Sequence, residues 1–133
     1  MRIPYRGAGA LLVCNGKILV GERGKDDPPF RGCWCMPGGG RDKGETEMQT
    51  ALRELYEEAG VRFTTPEEAK PYGSWTLRLP LFRWPCFFFN VDEEYPLKLK
   101  EFSKLGWYDV SYLKYKKLRP FLRSELKAAG FEI

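Results

Sequence analysis

The sequence predicts an α+β (mixed α/β) fold: apolar strands first, then one amphipathic helix, more strands, and a closing helix. Three observations carry this. Asn15-Gly16 is a strong hairpin signal between two apolar runs. The apolar period changes from strand-like to helical at Thr46. The second half is rich in aromatic and β-branched runs. The 133 residues suit a single domain over 1–133, long enough to bury a core.

Residues 7–14 read as a buried strand, and residues 17–23 as its return. Residues 24–31 read as a loop with two aspartates and two prolines. Residues 32–37 are expected to form a short strand, stopped by Pro37-Gly38-Gly39-Gly40. Thr46 to Ala59 reads as a helix: Thr46-x-x-Gln49 is a capping-box pattern and Gly60 a C-terminal glycine. Met48, Ala51, Leu52, Leu55 and Ala59 fall on one face of it. Residues 72–79, 82–91 and 105–109 are expected strands, with Pro80 and Pro85 restricting their pairing. Residues 118–129 read as a last helix near Pro120, ending at Gly130.

Composition narrows the function. Lys and Arg total 22 against 18 acidic residues, a net charge of +4. That suits a small anionic substrate and is too little to argue for nucleic acid by itself. Lys114, Lys116, Lys117, Arg119, Arg123 and Lys127 cluster late and read as a solvated helix face. No apolar run approaches the roughly 20 residues that span a bilayer, and Met1 to Arg6 lead into no signal-peptide core. The expected location is the cytoplasm, where Cys14, Cys33, Cys35 and Cys86 would be free thiols. There is no histidine, which removes His-based nucleophile systems and His-ligated metals. Acid–base chemistry then falls to carboxylates, Lys, Tyr or a metal-bound water.

The informative stretch is residues 38–61. Glu54, Glu57 and Glu58 fall within an arc of roughly 100° on the helix, beside the apolar face. Such crowding costs an isolated helix about 0.2–0.5 kcal/mol per like-charged pair. A divalent cation among the carboxylates reverses the sign, and an all-oxygen set favours Mg²⁺ or Mn²⁺. The upstream glycines let backbone approach a ligand closely and adopt positive φ.

This stretch resembles the Nudix box, G-x5-E-x7-R-E-U-x-E-E-x-G-U with U apolar. It is matched without departure by Gly39, Glu45, Arg53, Glu54, Leu55, Glu57, Glu58, Gly60 and Val61. A chance match in a chain this long is rarer than about one in a million. Trp34, Pro37-Gly38 and Gly44-Glu45-Thr46 look like the family's flanks, and the opening hairpin and Glu101-x5-Trp107 extend the likeness.

The resemblance implies an α/β/α sandwich with a mixed sheet and a catalytic loop–helix–loop. It implies that Glu54, Glu57 and Glu58 bind divalent metal, joined by the Gly38 carbonyl. Arg53 would position a glutamate, Glu45 support the loop and Gly60 end the helix. Glu54 is the first candidate for the base and Glu101, which could also ligate metal, the second; Asp92, Glu93 and Glu94 compete with Glu101. Arg23 could contact phosphate or form a strand-end salt bridge. Gly39 would approach the substrate, and Phe30 or Trp75 could stack on a base.

The expected reaction is cleavage of a phosphoanhydride in a nucleoside diphosphate linked to another moiety. A (d)NTP pyrophosphohydrolase giving NMP and pyrophosphate comes first, since the extra N-terminal region of many ADP-sugar members is not evident. Nucleotide sugars such as ADP-ribose, or dinucleoside polyphosphates, come second. A catalytically silent nucleotide-binding regulator would have lost box glutamates, and an RNA-end hydrolase would use the basic C-terminal segment. The expected partner is a small nucleotide, with no membrane, and the chain is expected as a monomer or homodimer.

Overall fold

In the computed structural model, residues 3–25 and 30–133 are described. Met1, Arg2 and the Asp26–Pro29 part of the expected 24–31 loop lie outside them. β1 (Tyr5–Cys14) turns through Asn15-Gly16 into β2 (Lys17–Arg23). Both turn residues take positive φ, 49° and 80°, as a two-residue hairpin requires. There follow β3 (Trp34–Cys35), β4 (Gly38–Gly40), α1 (Glu47–Ala59) and the short α2 (Pro66–Ala69). Next come β5 (Pro71–Leu79), β6 (Phe82–Asn90), β7 (Phe102–Asp109), a 3-10 turn (Val110–Leu113) and α3 (Leu122–Ala128).

Among the described residues the sheet has seven strands in the order β3-β2-β1-β6-β5, with β4 beside β1 and β7 beside β2. It is mixed: β1 and β6 run parallel, and the other pairs are antiparallel. Side chains alternate between its faces, as the strand period demands. Ala8, Ala10 and Leu12 of β1, Leu19 of β2 and Phe89 of β6 pack on one side with Ala51, Leu55 and Ala59 of α1. Leu11, Ile18, Val20 and Phe88 point the other way, into a core with Trp34, Leu122 and Leu126. The result is the expected α/β/α sandwich. No helix among the described residues is long and apolar enough to cross a membrane.

α1 forms where its sequence asks for it. The Thr46 hydroxyl accepts from the Gln49 amide while the Gln49 side chain accepts from the Thr46 amide. Gly60 ends the helix at φ 75°. Burying Leu55 contributes about 1.5–3 kcal/mol.

Two expectations need correction. Gly38–Gly40 does not stop a strand but is one, pairing with Gly9, Ala8 and Gly7, and none of the three takes positive φ. Glycine is needed there for closeness: a Cβ on Gly38 would lie 2.8 Å from the Ala8 carbonyl oxygen and 2.6 Å from Trp84. The last helix is shorter than 118–129, because the stretch before Pro120 is drawn into an extended path. There the Trp34 amide donates to the Lys117 carbonyl and the Arg119 amide to the Trp34 carbonyl. The expected restriction at Pro85 is met inside β6, where the register with β1 skips from Arg83 to Cys86.

Candidate active site

β4 and the second half of α1 lie side by side, and the box residues fold around that seam. Arg53 is the clamp. Its Nε and Nη2 donate to the two Glu45 oxygens at 2.8 and 3.1 Å, and Nη2 also donates to the Gly40 carbonyl at 2.7 Å. Its Nη1 donates to Glu54 at 3.0 Å and to Glu57 at 3.2 Å. Glu45 also accepts from the Asp42 amide and the Thr50 hydroxyl, so one carboxylate fixes both the loop and the helix. The Arg53 hydrogen bonds draw the Glu45 carboxyl down to about 2.

A second cation faces the deeper glutamate. Arg23, at the end of β2, donates from Nη1 to Glu58 at 2.6 Å and to Glu101 at 3.3 Å. Its guanidinium lies 4.5 Å over the Phe102 ring. Arg23 thus stands in an ion pair, one of the two readings its sequence allowed. Glu58 is 2% exposed and also accepts from the Gly38 amide at 2.7 Å. Burial pushes Glu58 up to about 8 against the pull of Arg23. Burial raises Glu54 as well, against Arg53. The glutamates therefore fan from the interior to the surface: the side chains of Glu58, Glu54 and Glu57 are 3%, 14% and 54% exposed.

Glu54 and Glu58 open on a cavity of about 630 Å³. Arg23, Gly38, Gly39 and Glu101 share that acidic end, and Phe30 also lines the cavity. Trp75 does not line it; its ring packs 6.4 Å from Phe121, which does. Asp92 is paired with Lys70 at 2.7 Å and, with Glu93 and Glu94, is not part of the lining. The rest of the lining is largely apolar, with Leu77, Phe82, Trp84 and Phe121, and Tyr5 lies within electrostatic reach of Glu54 and Glu58.

The glutamates offer an all-oxygen donor set, and burial raises the carboxyls of Glu54 and Glu58 against the pull of Arg53 and Arg23. Gly39 leaves no room for a side chain, since a Cβ would sit 2.5 Å from the Glu54 carboxyl carbon. Among the described residues no three acidic or thiol groups are already gathered about one point. Glu54, Glu57 and Glu58 instead lie in ion pairs with Arg53 and Arg23, which a cation would relax. The residues fit a hard cation.

The NUDIX domain family model matches residues 4–128. The chain belongs to the NUDIX domain family. Among its relatives, an RNA pyrophosphohydrolase of Mesorhizobium japonicum (strain LMG 29417 / CECT 9101 / MAFF 303099) is 47% identical over 66 residues. The match covers 45% of this chain and 38% of that relative, well under half of its length. The structure of the Nudix hydrolase RenU from M. smegmatis superposes with a TM-score of 0.76 at 20% identity, covering 93% of this chain and 82% of that one. A bifunctional NMN adenylyltransferase/ADP ribose pyrophosphatase from Francisella tularensis, complexed with AMP and Mn ion, gives 0.75 at 20% identity over 89% of this chain and 38% of that one. At such identities the structures show a common Nudix fold.

Arg119, which lines this Nudix cavity, and its partner Glu125 escaped the sequence reading. Arg119, expected on a solvated face, is buried with its side chain 11% exposed, and pairs with the fully buried Glu125 at 2.5 Å. Their separation of six residues is not a helical spacing, so no periodic signal marks the pair. The four cysteines are buried and unbridged.

Proposed function

We propose that this Nudix chain, acting as one domain, hydrolyses a phosphoanhydride bond of a nucleoside triphosphate to give a nucleoside monophosphate and pyrophosphate. One observation carries the reading: a single cavity is walled both by Glu54 and Glu58 of the box and by flat apolar side chains. A nucleotide has the same two parts, phosphates to meet the glutamates and a base to meet the aromatics.

Glu54, Glu57 and Glu58, with the Gly38 carbonyl, would hold Mg²⁺ or Mn²⁺. Such an ion, when bound, neutralises phosphate charge and aligns the reacting phosphate. Water adds to phosphorus, the bond from phosphorus to the bridging oxygen breaks, and pyrophosphate leaves. Glu54 takes the proton from the water; it lies in the cavity wall, and burial raises its affinity for protons. Arg53 fixes the Glu54 carboxylate through Nη1 and keeps the Glu45 loop closed on α1. Glu101, 63% exposed and in contact with Arg23, is the second candidate base.

A second reading concerns the same bond at the 5′-triphosphate end of an RNA. It is favoured by the 47% local identity to a relative named RNA pyrophosphohydrolase. In Mg²⁺, pyrophosphate release should be followed over (d)NTPs and 5′-triphosphorylated RNA, and mononucleotide release over ADP-ribose and dinucleoside polyphosphates, with Glu57→Gln as the blank. Variant-sensitive release from one nucleoside triphosphate supports the first reading. Release from RNA alone supports the second, and silence throughout contradicts both.

A further inference from the structure

A row of arginines crosses one end of the sheet. Arg6 of β1 stands directly beside Arg83 of β6, and Arg83 directly beside Arg78 of β5. Arg41 extends the row past β4: Gly40 pairs with Gly7, and the Arg41 amide donates to the Arg6 carbonyl at 2.8 Å. Residues paired across strands share a face of the sheet. With strands about 4.8 Å apart, the four positions span roughly 14 Å. They are scattered through the sequence, and only the strand order brings them together.

Like charges set opposite one another weaken a sheet. One carboxylate answers them: Arg83 donates from Nε and Nη2 to the two Glu47 oxygens, at 2.6 and 3.0 Å. Arg41 and Arg78 also help to hold the Glu47 carboxyl below its ordinary range, after Arg83, so they face the same first turn of α1. Arg6, Arg41 and Arg78 are exposed and form no ion pair with a described residue. A polyanion laid along the row would relieve the repulsion. Guanidinium forks match phosphate oxygens in pairs, which suits them to a chain of phosphates.

The row's position decides which polyanion. Tyr5, Phe82 and Leu79 line the cavity, and each is the chain neighbour of an arginine of the row, Arg6, Arg83 and Arg78. A free nucleotide ends within the cavity. A nucleic acid strand whose end lies there continues over this end of the sheet and meets the row next. The late basic cluster offers no such path, since Arg119 is turned in to Glu125 and Lys116 lies over the Tyr112 ring. We propose that Arg6, Arg41, Arg78 and Arg83 form a docking surface for the phosphodiester backbone of single-stranded RNA. The inference rests on the RNA reading of the cavity.

The test is the fluorescence anisotropy of a labelled oligouridylate with a 5′ hydroxyl, titrated without metal over a range of salt. The wild-type chain is compared with Arg6→Gln/Arg78→Gln. Lys114→Gln/Lys117→Gln, taken from the exposed late cluster, is the charge-matched control. Circular dichroism checks each fold, and if the double arginine variant does not fold, Arg78→Gln decides. The wild-type chain should bind with a logarithmic salt slope that the double arginine variant makes shallower by about 1.4, two contacts at about 0.7 each. Affinity at low salt should drop about tenfold in that variant, while the lysine variant keeps the wild-type slope. No binding by the wild-type chain at low salt, a slope that survives the arginine substitutions, or an equal loss in the lysine variant overturns the proposal. Phosphatidylglycerol vesicles that bind the chain as tightly as the RNA does overturn the assignment to RNA. No hydrolysis enters this titration. RNA held by the row without pyrophosphate release from 5′-triphosphorylated RNA would overturn the RNA reading of the cavity alone. Release with the same KM in the wild-type chain and the arginine variant would overturn this inference alone.

Discussion

At Gly39 the backbone passes so close to Glu54 that the carboxylate occupies the space a methyl group would need. Gly39→Ala should therefore displace Glu54 while leaving the core untouched. A loss of roughly 10²-fold in kcat is expected from so small a misplacement, with a nearly unchanged melting temperature. Full activity in Gly39→Ala would show that Glu54 is not where the chemistry is. Glu45 makes a separate point about charge. Its folded carboxyl lies at about 2, against an ordinary 4.5, through its hydrogen bonds with Arg53, which stays cationic throughout. Depression of an acid means that the pair's stabilisation is complete above pH 4.5 and is lost as pH falls toward 2. Melting temperature in that window should fall more steeply for the wild-type chain than for Glu45→Gln, and parallel curves would contradict the assignment. That Arg53 would hold a glutamate and Glu45 the loop was legible in the box, though not that the two pair with each other. The burial of Glu58 was not: the wheel puts three glutamates in one arc, and only the approach of β4 and Arg23 decides which is covered.

Among the elements, α1 was the most readable, because its apolar spacing, its N-terminal box and its terminal glycine agree. Thr46→Ala removes the hydroxyl that accepts from the Gln49 amide and should cost about 1 kcal/mol in denaturant unfolding. No measurable change would mean that packing on the sheet alone holds that end. The glycine run was harder. Three glycines read as a loop because a strand interior without side chains gains little, yet here their smallness lets β4 pass against β1 and Trp84. The shorter α3 has a similar cause. Pro120 breaks the helical pattern, and the residues before it are recruited by Trp34, a partner more than eighty positions earlier. Long-range recruitment of that kind leaves no local trace in the sequence.

Over the whole molecule, the sheet brings β4, α1, the end of β2 and the chain before α3 to the wall of one cavity. Its box residues could be read from the sequence because they lie within one contiguous motif. The apolar lining could not, since Tyr5, Trp84 and Arg119 meet only once the strands are ordered. On this reading the α1 glutamates form a cation site on which turnover depends. Calorimetric titration with Mn²⁺ tests it most directly, comparing the wild-type chain with the paired variant Glu57→Gln/Glu58→Gln. The account expects saturable binding in the wild-type chain, weakened at least about tenfold in the variant, with loss of pyrophosphate release in parallel. Equal Mn²⁺ affinity and equal turnover in the two proteins would contradict it.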